Sequence, residues 1–598
     1  MPKLPNVDLR LVSCIDDLRH FQNWFERPRE VMGLDTETSG LDPFASDARL
    51  RLIQIGDHEA GWAIPFELWG GAALELMDKW KGQWTLHNAS FDAKWLKEHA
   101  RWDMPWERTD DTMIMAQIER PGDRNDLKFL STKFVDPMAD AGQKELKEAM
   151  KTHGWGWGDI PVDFDAYWVY SALDPVLAAY LWSHFRTDLK FPVAYDLEMS
   201  VRRICTDMEF RGMRVDLDYS QRRFDELTQQ VADAKQWAVD NWGVSLGSTA
   251  QLVGFFRDQL GARFEVFSEK TGNPSLNKKQ LDLFTKSSNE NVKIVSQYIV
   301  QVRNADKMAN SYFKNFINMA QDSVVHPSIK TMGARTGRMS VTDPALQTLP
   351  KDDSMGVRRA FLPRNPGEVL VSCDYSQVEM RLLAHFSEDP ALQEAFREAD
   401  RTGGDFFVSI GRQVYNDPNF SKKDPRRGLM KGVMYGAAYG SGIQTMADAA
   451  GVSFEQMSEV ANDIFRAYPG IKDFMSRTEF IGEERERKEG VGYIVTDTGR
   501  RIPADKGKMY TLTNYTLQGT AAELMKKAIV RLDAAGYGPY MQMAIHDEMI
   551  FSLPPEIVES ALPEIEELMS YCNGEFAVDL PAEPEIIGDR NWGEKYAA

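Results

Sequence analysis

The 598-residue sequence has only four cysteines, Cys14, Cys205, Cys373 and Cys572, widely separated and with no C-x-x-C pair. That spacing excludes a zinc cluster and a disulfide framework, and it fits a reducing compartment. No stretch approaches the roughly 18 uninterrupted apolar residues of a membrane span, and the N-terminus MPKLPNVDLRLVSCIDDLRHF lacks an apolar core of signal-peptide length. The expectation is a cytoplasmic protein with no membrane contact. Internal repeats and low-complexity tracts are absent as well. Positive charge is in short supply: 70 Lys and Arg against 90 Asp and Glu leave a net charge of −20. Such a chain is not drawn indiscriminately to phosphate backbones, so any nucleic-acid site must be locally basic. SKKDPRRGLMK is one such place, with Lys422, Lys423, Arg426, Arg427 and Lys431 against Asp424.

What is present is enough apolar material, 43% of residues, to fill several cores. At about 150 residues per unit the length suggests about four structural units. Residues 1–190 alternate strand-like runs (VMGLDTET, RLIQIGD, GWAIPF) with helical stretches such as FDAKWLKEHA, the pattern of a mixed α/β sheet domain. Residues from about 200 to 325 read as a helical arm, and from about 326 onward strands and helices mix again, with hairpins at VGYIVTDTGRRIP and MQMAIHDEMIFSLP.

Two constellations carry chemistry. In GLDTETSG, Asp35 and Glu37 stand two apart on an apolar strand, so both carboxylates share one face. Asp92 follows in HNASFDAKWL, and Asp174 lies one helical turn after Tyr170 in YSALD. Oxygen ligands without His or Cys suit Mg2+ or Mn2+, and two such ions about 4 Å apart activate water for phosphodiester hydrolysis. Tyr170 would orient that water. Each piece alone reads as an ordinary strand end or helix surface; together, in this order, they resemble the proofreading exonucleases with four acidic residues and a tyrosine in the last motif. All five positions of that pattern are filled, which implies an intact 3′-5′ exonuclease.

In the second constellation EVLVSCDYSQVEMRLLAHF reads as a buried strand ending at Asp374, then a helix with Ser376 as a candidate cap. YMQMAIHDEMIFSL reads as a hairpin presenting His546, Asp547 and Glu548 at its tip. Between them RRGLMKGVMYGAAYG spaces Arg427, Lys431, Tyr435 and Tyr439 by four, which forms one helical stripe over 427–440. Gly428, Gly432, Gly436 and Gly440 run parallel to it; because interior glycines cost about 1 kcal/mol each, they point to close approach or movement.

These stretches resemble, in order, the three polymerase motifs of family A, the DNA polymerase I family: DYSQVE with Arg381, then R-x-x-x-K-x-x-x-Y-G-x-x-Y-G, then HDE. ARTGRMSVTDPALQTLP and LQGTAAELMKKA are similar to the family's primer-template segments. The resemblance implies a multidomain α/β chain: an RNase H-like 3′-5′ exonuclease domain over 1–190, then a right-hand polymerase over 191–598. Within the latter it implies a thumb at about 200–325, a palm at about 326–400 and 500–598, and fingers at about 401–499. It further implies that Asp374 and Asp547 hold metal with Glu548 accessory. Arg427 and Lys431 would grip a deoxynucleoside triphosphate, Glu379 would crowd the sugar 2′ position, and Tyr439 would stand near the templating base. Arg338, Gln347, Asn514, Gln518 and His546 would contact primer-template DNA. Two Mg2+ ions are expected at each site, with Mn2+ able to substitute.

The chain departs from the family pattern at Tyr435, where cellular members carry Phe and some phage replicases carry Tyr; weak discrimination against dideoxynucleotides is expected there. Asp405-Phe406-Phe407 stands where Asp-x-His is common, and Tyr510 replaces a common Arg. With no 5′-nuclease domain ahead of residue 1 and no room for a large processivity-factor insertion, the layout resembles a phage replicative enzyme acting in the host cytoplasm. The sequence names no helicase, single-strand-binding or processivity partner. The alternatives are a repair polymerase of the same family, an exonuclease with a DNA-binding C-terminal half, and a non-catalytic nucleic-acid scaffold. The filled acidic positions weigh against all three.

Overall fold

The computed structural model describes residues 4–187, 189–350 and 355–596. Its N-terminal sheet has strand order β1-β4-β3-β2-β5-β6, formed by β1 (Asp8–Leu11), β2 (Val31–Thr38), β3 (Leu50–Gly56), β4 (Ala60–Pro65), β5 (Gln83–Leu86) and β6 (Thr109–Asp111). β3 runs antiparallel to both its neighbours, while β1 with β4, β2 with β5 and β5 with β6 are parallel. β2 and β4 are buried almost throughout, as their unbroken apolar runs require of strands covered on both faces.

Helix α1 (Ala89–Ala100) covers one face of the sheet, and α2 (Leu127–Phe134) packs on α3 (Asp165–Thr187). α3 crosses the other face at backbone distance. A Cβ added at Gly33 would collide with the Pro175 carbonyl, and one at Gly61 with that of Ala172. The two glycines therefore let α3 lie close enough to set Tyr170 and Asp174 against β2.

Most of the C-terminal two thirds shares one apolar cluster running from Val201 to Trp592, with a small separate one at Ile494, Ile502, Met509 and Leu512, and the N-terminal cores are distinct from both. Helix α4 (Pro192–Arg211) feeds both: Ala194 and Tyr195 belong to an N-terminal core, and Val201, Ile204, Cys205 and Met208 to the large one. Buried charge ties the junction. Glu209 accepts from Lys94 of α1 at 2.5 Å, from Arg202 at 2.6 Å and from the Ile329 N–H at 2.7 Å. Glu198 accepts from Arg500 at 2.8 Å and from Lys526. Stripping one partner from such a buried pair costs about 3–5 kcal/mol, because the other charge is left uncompensated.

Beyond α4 come the long helices α5 (Leu217–Trp242) and α6 (Glu290–Lys307), packed on each other. A four-stranded antiparallel sheet follows, assembled from β7 (Val369–Tyr375), β8 (Met541–Ile545), β9 (Glu548–Leu553) and β10 (Ala582–Gly588) in the order β8-β9-β7-β10. Around it stand α7 (Val378–Ser387), α8 (Phe406–Tyr415), α9 (Pro425–Ala438) and α10 (Thr511–Ala534).

Three local expectations are corrected. Ser376 does not cap α7: the N-cap is Gln377 in a left-handed conformation, while the Ser376 N–H bonds the Pro581 carbonyl at 3.0 Å. The chain leaves β7 too sharply for a side-chain cap to form. The stripe helix spans Pro425–Ala438, so Tyr439 is its C-cap and Gly440 lies beyond it at φ +65°. Only half of the glycine series meets a close neighbour. Gly436 abuts Met446 and Gly440 abuts Tyr510, whereas Gly428 and Gly432 face open space.

Among the described residues no helix is long and apolar enough to cross a membrane. Gly33→Val should give an early thermal transition from an N-terminal sheet strained by about 1–3 kcal/mol while the transition of the C-terminal part stays in place, which differential scanning calorimetry checks.

Candidate active sites

The first site forms where α3 passes β2. Gly33, Asp35 and Glu37 alternate onto the face that meets α3, and carboxylate oxygens of Asp35, Glu37 and Asp174 lie within 4.8 Å of one another. Tyr170 hydrogen-bonds Asp174 across one helical turn, and the Ser171 hydroxyl reaches Glu37 at 3.4 Å. Asp92 arrives differently. It sits on α1, behind the opposite face, where it is 1% exposed and accepts from the Thr36 hydroxyl at 2.7 Å. The carboxylate group within 4.8 Å therefore has three members rather than the four expected from sequence, although the charge of Asp92 still acts on Asp35.

Like charges withdrawn from water raise one another's proton affinity. Burial first, then Asp92, Asp174 and Glu37, hold Asp35 well above the usual carboxylate range. Burial and the charge of Asp174 push Glu37 up to about 8, and burial pushes Asp92 up to about 7 against the Thr36 hydrogen bond. Asp174 is raised by burial and pulled back by Lys128. Lys128 was not singled out from the sequence. It is 6% exposed on α2, donates to Asp174, and lies 4.3 Å from the Tyr170 ring centroid. Its local sequence, LKFLSTKF, marks it as one more helix-surface lysine; only packing turns it inward.

The second site lies at the tips of β7, β8 and β9. Asp374 is register-paired with Glu548, which puts their side chains on one face of the sheet, and the Tyr375 N–H donates to the Asp547 carbonyl at 3.2 Å. The two motifs meet although 172 positions separate Asp374 from His546. His546 occupies the turn at φ +58°, and its ring nitrogen contacts the Gln347 carbonyl at 3.1 Å. The Gln347 amide itself is engaged with Met339 and Val341 at 3.1 and 3.2 Å. Asp547 is raised by burial, with the charges of Arg338 and His546 opposing.

The stripe of α9 closes over this tip. Tyr439 donates to Glu379 at 2.6 Å, Arg338 pairs with the other Glu379 oxygen, and Tyr435 lies 6.1 Å from Tyr439 in a stacked arrangement. The Tyr435 hydroxyl is raised by burial and by the charges of Glu379 and Asp547, so α9 and the hairpin face each other. Arg427 forms a two-pronged pair with Asp405 at 2.6 and 3.2 Å, while the Lys431 ammonium lies 5.7 Å from the Tyr435 ring and 6.0 Å from that of Phe407. Asn514 and Gln518 stand one turn apart on α10, which packs against α7.

A residue near the C-terminus was also missed. Lys595 donates to Glu548 at 2.9 Å and to Ser372 at 2.7 Å; burial works against its charge, but Glu548, Tyr596 and Glu585 together raise its proton affinity above the ordinary ammonium value. It is held there by Trp592, which is fully buried, and by Arg358 lying 4.2 Å over the Trp592 ring and 4.8 Å from that of Tyr596.

The first site offers clustered carboxylate oxygens without His or Cys, a set that fits hard divalent cations, and the second brings the Asp374–Glu548 register pair next to Asp547 at one sheet end. Comparison with known proteins agrees with this chemistry. Residues 217–594 match the family model "DNA polymerase family A", and residues 12–190 match that of a 3′-5′ exonuclease. The chain belongs to DNA polymerase family A. It is a DNA-directed DNA polymerase with a proofreading 3′-5′ exonuclease domain, and enzymes of both kinds depend on divalent metal ions.

The DNA polymerase of Mycobacterium phage D29 is 29% identical over 618 residues, covering 99% of this chain and 98% of that one. DNA polymerase I of Chloroflexus aurantiacus is 26% identical over 639 residues, covering 99% of this chain and 64% of that protein. The polymerase domain of Pol1 from M. smegmatis, solved in complex with primer-template DNA and dNTP, superposes with a TM-score of 0.76 at 22% identity, over 99% of this chain and all of that chain, and shows the shared fold.

The raised carboxylates set a pH response. A group whose folded pKa exceeds its unfolded value stabilises the fold below the unfolded pKa and loses that contribution as pH rises through the folded one. For Glu37 the window runs from 4.5 to about 8. In chelator, the melting temperature of the exonuclease transition should therefore fall between pH 5 and pH 8.5. Glu37→Gln should flatten that fall, and calorimetry at four or five pH values checks it.

Proposed function

We propose that the chain extends primers on a DNA template at the β7 and β8-β9 tip and shortens mismatched primer ends at the β2-α3 site, as a phage replicative polymerase in the host cytoplasm. The observation that carries the reading is two separate acidic sites, the Asp35, Glu37 and Asp174 group at the first sheet and the Asp374–Glu548 register pair beside Asp547 at the second. In this reading two Mg2+ ions, replaceable by Mn2+, bind at each site and supply charge neutralisation and activation of the attacking oxygen. Asp374 and Asp547 would hold them in the palm, with Glu548 accessory, and Asp35, Glu37, Asp92 and Asp174 in the exonuclease.

Around those ligands the chain's own side chains divide the labour. Arg427 and Lys431 grip the triphosphate of a deoxynucleotide while the primer 3′-hydroxyl attacks the α-phosphate and pyrophosphate departs. Glu379, held between Arg338 and Tyr439, presents a fixed carboxylate where a ribose 2′-hydroxyl would lie. Arg427 is engaged by Asp405, so gripping a triphosphate means exchanging one anion for another. Arg338, Gln347, Asn514, Gln518 and His546 line the primer-template side, and Tyr170 orients the water that cuts the terminal phosphodiester.

The reading assigns the thumb to about 200–325, the palm to about 326–400 and 500–598, and the fingers to about 401–499, after an exonuclease over 1–190. Near full-length similarity to the phage D29 enzyme supports replication over repair.

A 5′-labelled primer-template with Mg2+ tests the assignment. Extension is expected with nucleotides and shortening without them. Asp374→Asn should reduce extension by at least about 10²-fold and spare shortening; Asp35→Ala should do the reverse. Loss of both activities from either substitution would sink the two-site assignment. Separately, Tyr435→Phe should raise discrimination against dideoxynucleotides by at least about tenfold, read from single-nucleotide incorporation ratios; an unchanged ratio overturns that role for the hydroxyl.

A further inference from the structure

Lys128 has no part in the two-metal scheme, yet it is the cation nearest the exonuclease acids. Its ammonium donates to Asp174 and stands 4.3 Å from the Tyr170 ring centroid, with the side chain 6% exposed. α2 is anchored at that end: Asp126 caps it by accepting from the Phe129 N–H at 3.1 Å, and the neighbouring Leu130 and Ser131 are 1% and 0% exposed. The lysine is thus built into the site by its helix rather than swinging in from the surface. An ammonium is a compact charge on a flexible stem, and burying one is unfavourable unless an anion receives it. Three carboxylates within 4.8 Å supply that anion.

We infer that Lys128 is a tethered counter-cation of the exonuclease site, which holds Tyr170 and Asp174 in place in the metal-free protein and competes with divalent cations for Asp174. Lys128 is a positioning residue in this account, and the inference rests on Asp35, Glu37 and Asp174 being the exonuclease carboxylates. Its consequence is a metal threshold: the carboxylates load at a higher divalent-ion concentration than the same three acids would without the lysine.

The test uses the full chain carrying Asp547→Asn, so that the polymerase carboxylates contribute less to Mn2+ binding, which is followed by electron paramagnetic resonance. Lys128→Met should tighten Mn2+ binding about tenfold, as removal of one opposing charge at this range implies. It should also lower the melting temperature of the exonuclease transition in chelator, and Lys128→Arg should restore both values. Primer extension by Lys128→Met with Asp547 intact reports that the remainder of the chain is folded. Unchanged or weaker Mn2+ binding by Lys128→Met, or an unchanged melt in chelator, overturns the inference. Asp35→Ala run alongside separates the two levels: if it still shortens primers, the exonuclease assignment itself has failed, whatever Lys128 does.

Discussion

Negative charge gathered where water is scarce is the constraint on which the structure turns. Asp35, Glu37 and Asp174 are brought within 4.8 Å of one another, and Asp92 lies close enough to act on Asp35. Repulsion and desolvation both work against such a group, and raised proton affinities are the visible result. A scaffold that tolerates this must be rigid. The backbone-level contact of α3 with β2 and β4 through Gly33 and Gly61 provides that rigidity.

The same constraint explains the lysines. Lys128 reaches Asp174, and Lys595 reaches Glu548, so each acidic cluster is accompanied by an ammonium from an element outside its motifs. The polymerase side spreads compensation further: Arg338 partners Glu379, Asp405 partners Arg427, and the C-terminal segment is pinned by Trp592 and Arg358. These charges are thereby paired within the chain. Buried junction pairs at Glu198 and Glu209 extend the pattern to the helix that joins the two catalytic units.

Much of this was legible in the sequence wherever one local period determined the outcome. Alternation placed Asp35 and Glu37 on one face, and a helical turn joined Tyr170 to Asp174. Apolar strands around HDE gave a hairpin with acids at its tip. Legibility ended where a residue's role depended on a distant partner. Lys128 and Lys595 look like surface lysines until their elements pack. Asp92 looked equivalent to the other acids, but it comes from the opposite side of the sheet and is bonded to Thr36. Of four evenly spaced glycines, only Gly436 and Gly440 meet a neighbour, because just those two face packed elements.

By itself the sequence determined the family and the order of its exonuclease and polymerase parts, and it singled out the acids proposed for each, since strand and helix periods and short motifs are properties of neighbouring residues. Tertiary structure alone decided which carboxylates converge, which cations answer them, and how Asp374 comes to lie opposite Glu548. Those outcomes depend on sheet register and helix docking between segments far apart in the chain, and no local pattern encodes such distances.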